Sequence, residues 1–252
     1  MPTFYETGMK TISGHQSSYL PWYGFFEKMY KSDLFAIHDT AQFEKKGFLN
    51  RNRIKTPQGP RWLTVPLQMK QYKDIELRHM KIDQTQDWRK KHWMAIKMNY
   101  AKAPYFERYQ HFFQDVYQRE WEYLHDLNMH IIEFFRKELR IETPLCYVSE
   151  LECRKEKKSD FVLALCQELG ADSYYSGSQG SDYLIESDFE RNGIVIEYQQ
   201  IRHFGYPQLF GEHIPHLSML DMLMNCGADT AEMLVKGGQY DESNGICSAS
   251  RR

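Results

Sequence analysis

Apolar positions along this chain follow two rhythms. Towards the N-terminus they come in short runs. Lys10–Gly14 reads as a strand entering a polar turn, and Leu34-Phe35-Ala36-Ile37 is the compact run expected of a strand buried in a parallel sheet. Between them Pro21-Trp22 leads into a short helix over Tyr23–Ser32, where proline's missing N–H costs little. Strand, helix and strand in about thirty residues make a βαβ unit. In the middle of the chain the spacing changes to steps of three and four. The series is Trp93, Ile96 and Tyr100, then Phe106, Tyr109, Phe113, Val116 and Tyr117, then Trp121, Leu124, Leu127, Ile131, Phe134 and Phe135. This predicts helices with one buried stripe, the first two separated by Pro104.

The remaining elements are marked by their ends. The turn Thr56-Pro57-Gln58-Gly59-Pro60 and the run Trp62–Leu67 predict a hairpin over Ile54–Leu67. Ser159 is placed to cap a helix that ends at Leu169, with Gly170 as its stop. Ser173–Ser176 reads as a strand ending in the turn Gly177-Ser178-Gln179-Gly180, and Ile194–Tyr198 as another. Ser218–Asn225 reads as a helix whose Ser218 and Asp221 resemble a capping box. The pattern predicts an α/β fold: a mainly parallel sheet with flanking helices and a helical insert over about 87–140. We expect one domain over 9–238, an extension at 1–8, and a disordered tail at 239–252, where the sequence is small, polar and turn-rich. In such sheets ligands bind at the carboxyl ends of the strands, so the turns after Gly14, Ile37 and Ser176 should share one edge.

Composition narrows the function classes. Hydrophobic residues make up 42% and charged residues 26% of 252 residues, as in ordinary globular domains. The net charge of −2 argues against nucleic acid as the main partner. No apolar run reaches the length of a membrane span. The five cysteines, Cys146, Cys153, Cys166, Cys226 and Cys247, are irregularly spaced, and no secretory leader is recognisable, so reduced thiols and a cytoplasmic location are expected. There is no CxxC, and Glu212, His213 and His216 lack helical metal-ligand spacing, so no metal site is expected.

Three stretches carry candidate chemistry. His15-Gln16-Ser17-Ser18-Tyr19-Leu20-Pro21-Trp22 leaves a strand and enters a helix, where free amides favour an anion. His15 is the candidate acid–base group, with Gln16, Tyr19 and Trp22 as binding residues. Lys45-Lys46-Gly47-Phe48-Leu49-Asn50-Arg51-Asn52-Arg53-Ile54-Lys55 packs five cations into eleven residues. Lys46, Arg51, Asn52, Arg53 and Lys55 are candidates for holding a phosphate or carboxylate, and on a strand Arg51, Arg53 and Lys55 share one face. A solvated charged face is the plain alternative. Ser176, Gly177 and Gly180 form a loop that lets backbone approach a ligand, with Asp182 placed to orient an amine or ribose.

Together these stretches resemble the WbqC-like protein family of bacteria. The resemblance is carried by His15-Gln16 through Trp22, Gly24-Phe25-Phe26, Asn50–Thr56, Trp62–Pro66, Tyr175-Ser176-Gly177 with Gly180, Asp182 and Tyr183, and Tyr206-Pro207-Gln208 through Gly227. It covers about Lys10–Gly238 and departs from the family pattern at Ser17-Ser18, where Pro-Asn is usual. The resemblance implies a place in O-antigen and surface-polysaccharide gene clusters, with glycyl transfer to a nucleotide-linked amino sugar as the expected activity. His15 and Asp182 are then the catalytic residues, and the diphosphate falls to the basic stretch. ATP or an aminoacyl-tRNA would activate the acyl group. The rival expectations are a non-catalytic scaffold with a protein partner and an RNA-binding module.

Overall fold

The computed structural model describes residues 8–45, 47–201 and 205–236. Lys46 and the expected tail lie outside the described residues. Seven strands are described: β1 (Thr11–His15), β2 (Leu34–Ile37), β3 (Arg51–Thr56), β4 (Gly59–Thr64), β5 (Leu145–Tyr147), β6 (Ser173–Ser176) and β7 (Val195–Tyr198). The helices are α1 (Tyr23–Tyr30), α2 (Trp88–Tyr100), α3 (Phe106–Gln118), α4 (Leu124–Glu138), α5 (Lys158–Glu168), α6 (Glu186–Arg191), α7 (Met219–Cys226) and α8 (Asp229–Val235). Among the described residues no helix is long and apolar enough to cross a membrane.

The chain gathers into two compact units. The smaller takes residues 8–16, 27–40 and 142–200, and the larger takes 17–26, 41–141 and 201–236. The smaller unit holds a five-stranded, wholly parallel sheet in the order β5-β2-β1-β6-β7. Alternation along the strands puts Ile12, Ala36 and Tyr174 on one face. There they pack with Val162, Leu165 and Cys166 of α5 and with Phe189 and Ile194. Each Val, Leu, Ile or Phe among them contributes roughly 1.5–3 kcal/mol by leaving water. The chain runs outward from β1 through β2 to β5, then returns to the other side of β1 with β6 and β7. Strand order therefore reverses between β1 and β6, which makes their carboxyl ends the expected ligand crevice.

The larger unit holds α2, α3, α4, α7 and α8 with the antiparallel β3–β4 hairpin. The helical stripe is buried as its period requires, at Ile96, Tyr100, Tyr109, Phe113, Val116, Leu124, Leu127, Ile131 and Phe135. Trp93 is only half-buried and stacks on Phe106, with ring centroids 6.3 Å apart.

Three local expectations change. The N-cap of α5 is Lys157, so Ser159 lies inside the helix and its buried Oγ accepts the Ile185 N–H at 2.9 Å. Ser218 does cap α7, accepting from the Leu220 N–H. Asp221 does not close a capping box; its carboxylate turns to two tyrosine hydroxyls. The hairpin begins at Arg51, three residues before the expected start.

Candidate functional site

In the smaller unit the polar groups collect at the carboxyl edge of β1, β2 and β6. Backbone pairing sets Gly14 against Ala36 and His15 against Ile37. Gly14 fits closely here: a Cβ would stand 3.0 Å from the Ala36 carbonyl oxygen and 3.1 Å from His38 Nε2, tighter than ordinary contact. His15 Nδ1 donates to the Gln16 carbonyl at 2.9 Å, so the lone pair resides on Nε2. Burial and the neighbouring Lys28 ammonium hold the His15 pKa down to about 4, against the opposing pull of the Gln16 carbonyl. His38 is pushed to about 3 by burial, then by His15 and Lys28. Its Nε2 is buried without a hydrogen-bond partner among the described residues, and its ring meets Phe161 edge-on at 4.6 Å.

Lys28 was not singled out by the sequence, yet it is the central cation of this edge. Its side chain is buried, and Nζ donates to the Gly14 carbonyl at 2.8 Å, its one hydrogen bond among the described residues. An ammonium has three N–H groups, so two remain for a ligand. A Cβ on Gly177 would stand 3.9 Å from Nζ, which puts the ammonium beside the loop that leaves β6. Burial lowers its pKa to about 8, with Glu27 opposing. Glu27 is itself fixed by Lys31, Gln199 and the Tyr175 hydroxyl at 3.0 Å. Gly180 lies against Ser176 so closely that a Cβ there would overlap Oγ. Asp182 ends the following turn and is exposed.

The other candidates belong to the larger unit. Tyr19 is fully buried and its hydroxyl bonds His92 Nδ1 at 2.9 Å and the Tyr117 hydroxyl. Asn52 is buried, donating to the Leu20 carbonyl and accepting the Arg53 N–H. Arg51, Arg53 and Lys55 do lie on one strand, but their surroundings differ. Lys55 is buried and donates to Gln208 Oε1 at 3.0 Å and to the Glu212 carbonyl at 2.6 Å. Arg51 and Arg53 are half-buried, with guanidinium carbons 4.4 and 5.6 Å from the Trp62 ring centre. Trp22 lines an open pocket with Tyr206, His213 and His216. Nearby, Asp221 accepts from Tyr100 at 2.6 Å and Tyr206 at 2.8 Å. Burial raises its pKa, opposed by those hydroxyls and by Lys55.

Comparison with known proteins agrees over both units. The model of the WbqC-like protein family matches residues 16–233. The chain is 35% identical over 230 residues to the uncharacterised protein Rv1507c of Mycobacterium tuberculosis, which covers 90% of this chain and 98% of that protein. No solved structure matches. With its parallel sheet and its motifs in place, this chain belongs to the WbqC-like protein family.

Proposed function

We propose that the protein forms an amide bond, transferring an acyl group, glycyl in the first instance, to the amine of a nucleotide-linked amino sugar for surface-polysaccharide assembly. One observation carries this reading: a buried ammonium, Lys28, stands beside a neutral imidazole, His15, where the strand order reverses. The two N–H groups that Lys28 keeps hold a phosphate of the nucleotide. The acyl group arrives activated, as an adenylate made from ATP or as an aminoacyl-tRNA ester. The sugar nitrogen attacks the acyl carbonyl and the C–N bond forms. The tetrahedral intermediate then collapses with loss of the C–O bond to the donor. The attacking nitrogen becomes acidic only after it has bonded, so a weakly basic nitrogen such as His15 Nε2 suffices to take its proton. Asp182 orients the amine or the ribose from the loop after β6.

The test is a thermal-shift panel of ATP, glycine and UDP- and dTDP-linked amino sugars. A ligand of the native state raises the melting temperature with its concentration. One nucleotide sugar should do so for the native protein and not for Lys28→Met. His15→Asn should keep the shift and lose amide formation by about 10²–10⁴-fold. A shift with none of the ligands, or one indifferent to Lys28, rejects the reading.

A further inference from the structure

The β3–β4 hairpin and its flanks hold charge of one sign. Between Lys45 and Lys73 the sequence has eight lysines and arginines and no carboxylate, in a chain whose net charge is −2. The remainder of the chain is therefore acidic, and the overall charge conceals a basic region. Aromatic rings lie among these cations and face water. Phe48 is 46% and Trp62 42% exposed, with ring centres 5.7 Å apart. Register places Arg53 opposite Trp62, so the two share a face of the hairpin, while Asn52 and Leu63 fill the buried face. Lys45 stands 4.6 Å over the Tyr72 ring. Arg61, Lys70 and Lys73 are exposed and make no salt bridge among the described residues. Arg53 carries a second signal: its Nε is buried without a hydrogen-bond partner among the described residues, and its Nη2 donates to the His216 carbonyl. The His216 ring meets Trp22 at 5.1 Å on the wall of the open pocket.

We propose that this face of the larger unit binds single-stranded RNA. Unstacked bases lie on Trp62 and Phe48, and the backbone phosphates run along Arg51, Arg53, Arg61 and Lys70. A terminal nucleotide enters the pocket beside Trp22 and His216. Exposed rings interleaved with guanidinium groups are what a flexible strand uses, because every base has a stacking face. A duplex keeps its bases stacked on one another, so it offers no free base face to these rings. The proposal goes beyond amide formation and rests on other residues, so either can fail alone.

Fluorescence anisotropy with a labelled short single-stranded oligoribonucleotide, the full chain and a salt series tests it. The native protein should bind the single strand and prefer it to a duplex of the same length. Trp62→Ala should weaken binding about tenfold or more, as the loss of one base stack does. Trp62→Phe should recover most of this, and Phe48→Ala should act in the same direction. Arg61→Gln with Lys70→Gln should lower the slope of log affinity against log salt by about 0.7 for each cation removed. The proposal falls if single-stranded RNA does not bind at low salt, or if neither ring substitution changes affinity. It falls equally if duplex RNA or anionic lipid vesicles bind as tightly as the single strand. Trp62→Ala should leave the nucleotide-sugar shift of the native protein intact, which separates the two proposals.

Discussion

Two buried clusters carry charge, one around Asp221 in the larger unit and one around Lys28 and His38 in the smaller, and they are supplied with partners differently. In the larger unit every member of the polar group around Asp221 has partners: two tyrosine hydroxyls for the carboxylate, two acceptors for Lys55, and the Ile214 N–H and carbonyl for Gln208. In the smaller unit Lys28 has one acceptor among the described residues, and His38 Nε2 has none. A saturated buried network rigidifies a fold. An undersupplied one costs stability unless a ligand completes it, and such groups cluster at functional sites. Cations of the same type thus carry opposite meanings, and burial alone does not tell them apart.

The contrast can be broken by substitution. Asp221→Ala should give the largest effect, because it strands the Tyr100 and Tyr206 hydroxyls in the core. At about 1–3 kcal/mol for each, urea unfolding should show a loss of about 2–6 kcal/mol. Acid should act next. His15 and His38 are held neutral with pKa values near 4 and 3, below the ordinary 6.5. The unfolded chain then binds more protons than the folded one, so their contribution is complete above pH 6.5 and is lost as pH falls towards 4. The slope is up to about 1.4 kcal/mol per pH unit for each histidine. His38→Phe should flatten that slope in denaturant titrations at stepped pH. Gly180→Ala should cost about 1–3 kcal/mol by overpacking against Ser176, and adding Ser176→Ala should return most of it in a double-mutant cycle. The smallest change is expected from Lys28→Met. Removing a buried cation held by a single acceptor among the described residues should leave stability within about 1 kcal/mol or raise it. A large loss there would make Lys28 a structural strut like Lys55 and erase the distinction.

Much of the frame was legible in the pattern of residues. Leu34–Ile37 announced a buried strand and Ser173–Ser176 a strand, the steps of three and four announced α2 to α4, and Gly170 stops α5 with a φ of 62°. β5 has three residues, α6 six and α8 seven, too few to establish a period. The site residues were less legible because their meaning depends on distant partners. Lys55 sits in a run of cations, and only the segment around Gln208 and Glu212, some 150 residues later, takes it out of solvent. Lys28 sits in the last turns of a short helix, where a lysine ordinarily serves the helix dipole. Nothing local says that its side chain reaches the Gly14 carbonyl. Asp221 occupied a capping position, and its tyrosine partners come from α2 and from the segment before α7.

The order in which the segments are made adds a consequence. The smaller unit is assembled from three separated stretches, the last ending at residue 200, and the larger unit needs residues 201 to 236 as well. On the ribosome, where domains generally fold as units as they emerge, every strand of the parallel sheet is therefore available before Tyr206, Gln208 and Asp221. Until those residues arrive, Tyr100 lacks the carboxylate that accepts its proton and the Lys55 ammonium lacks its acceptors. A released chain that ends at residue 200 should thus hold the complete parallel sheet and an unfinished helical unit.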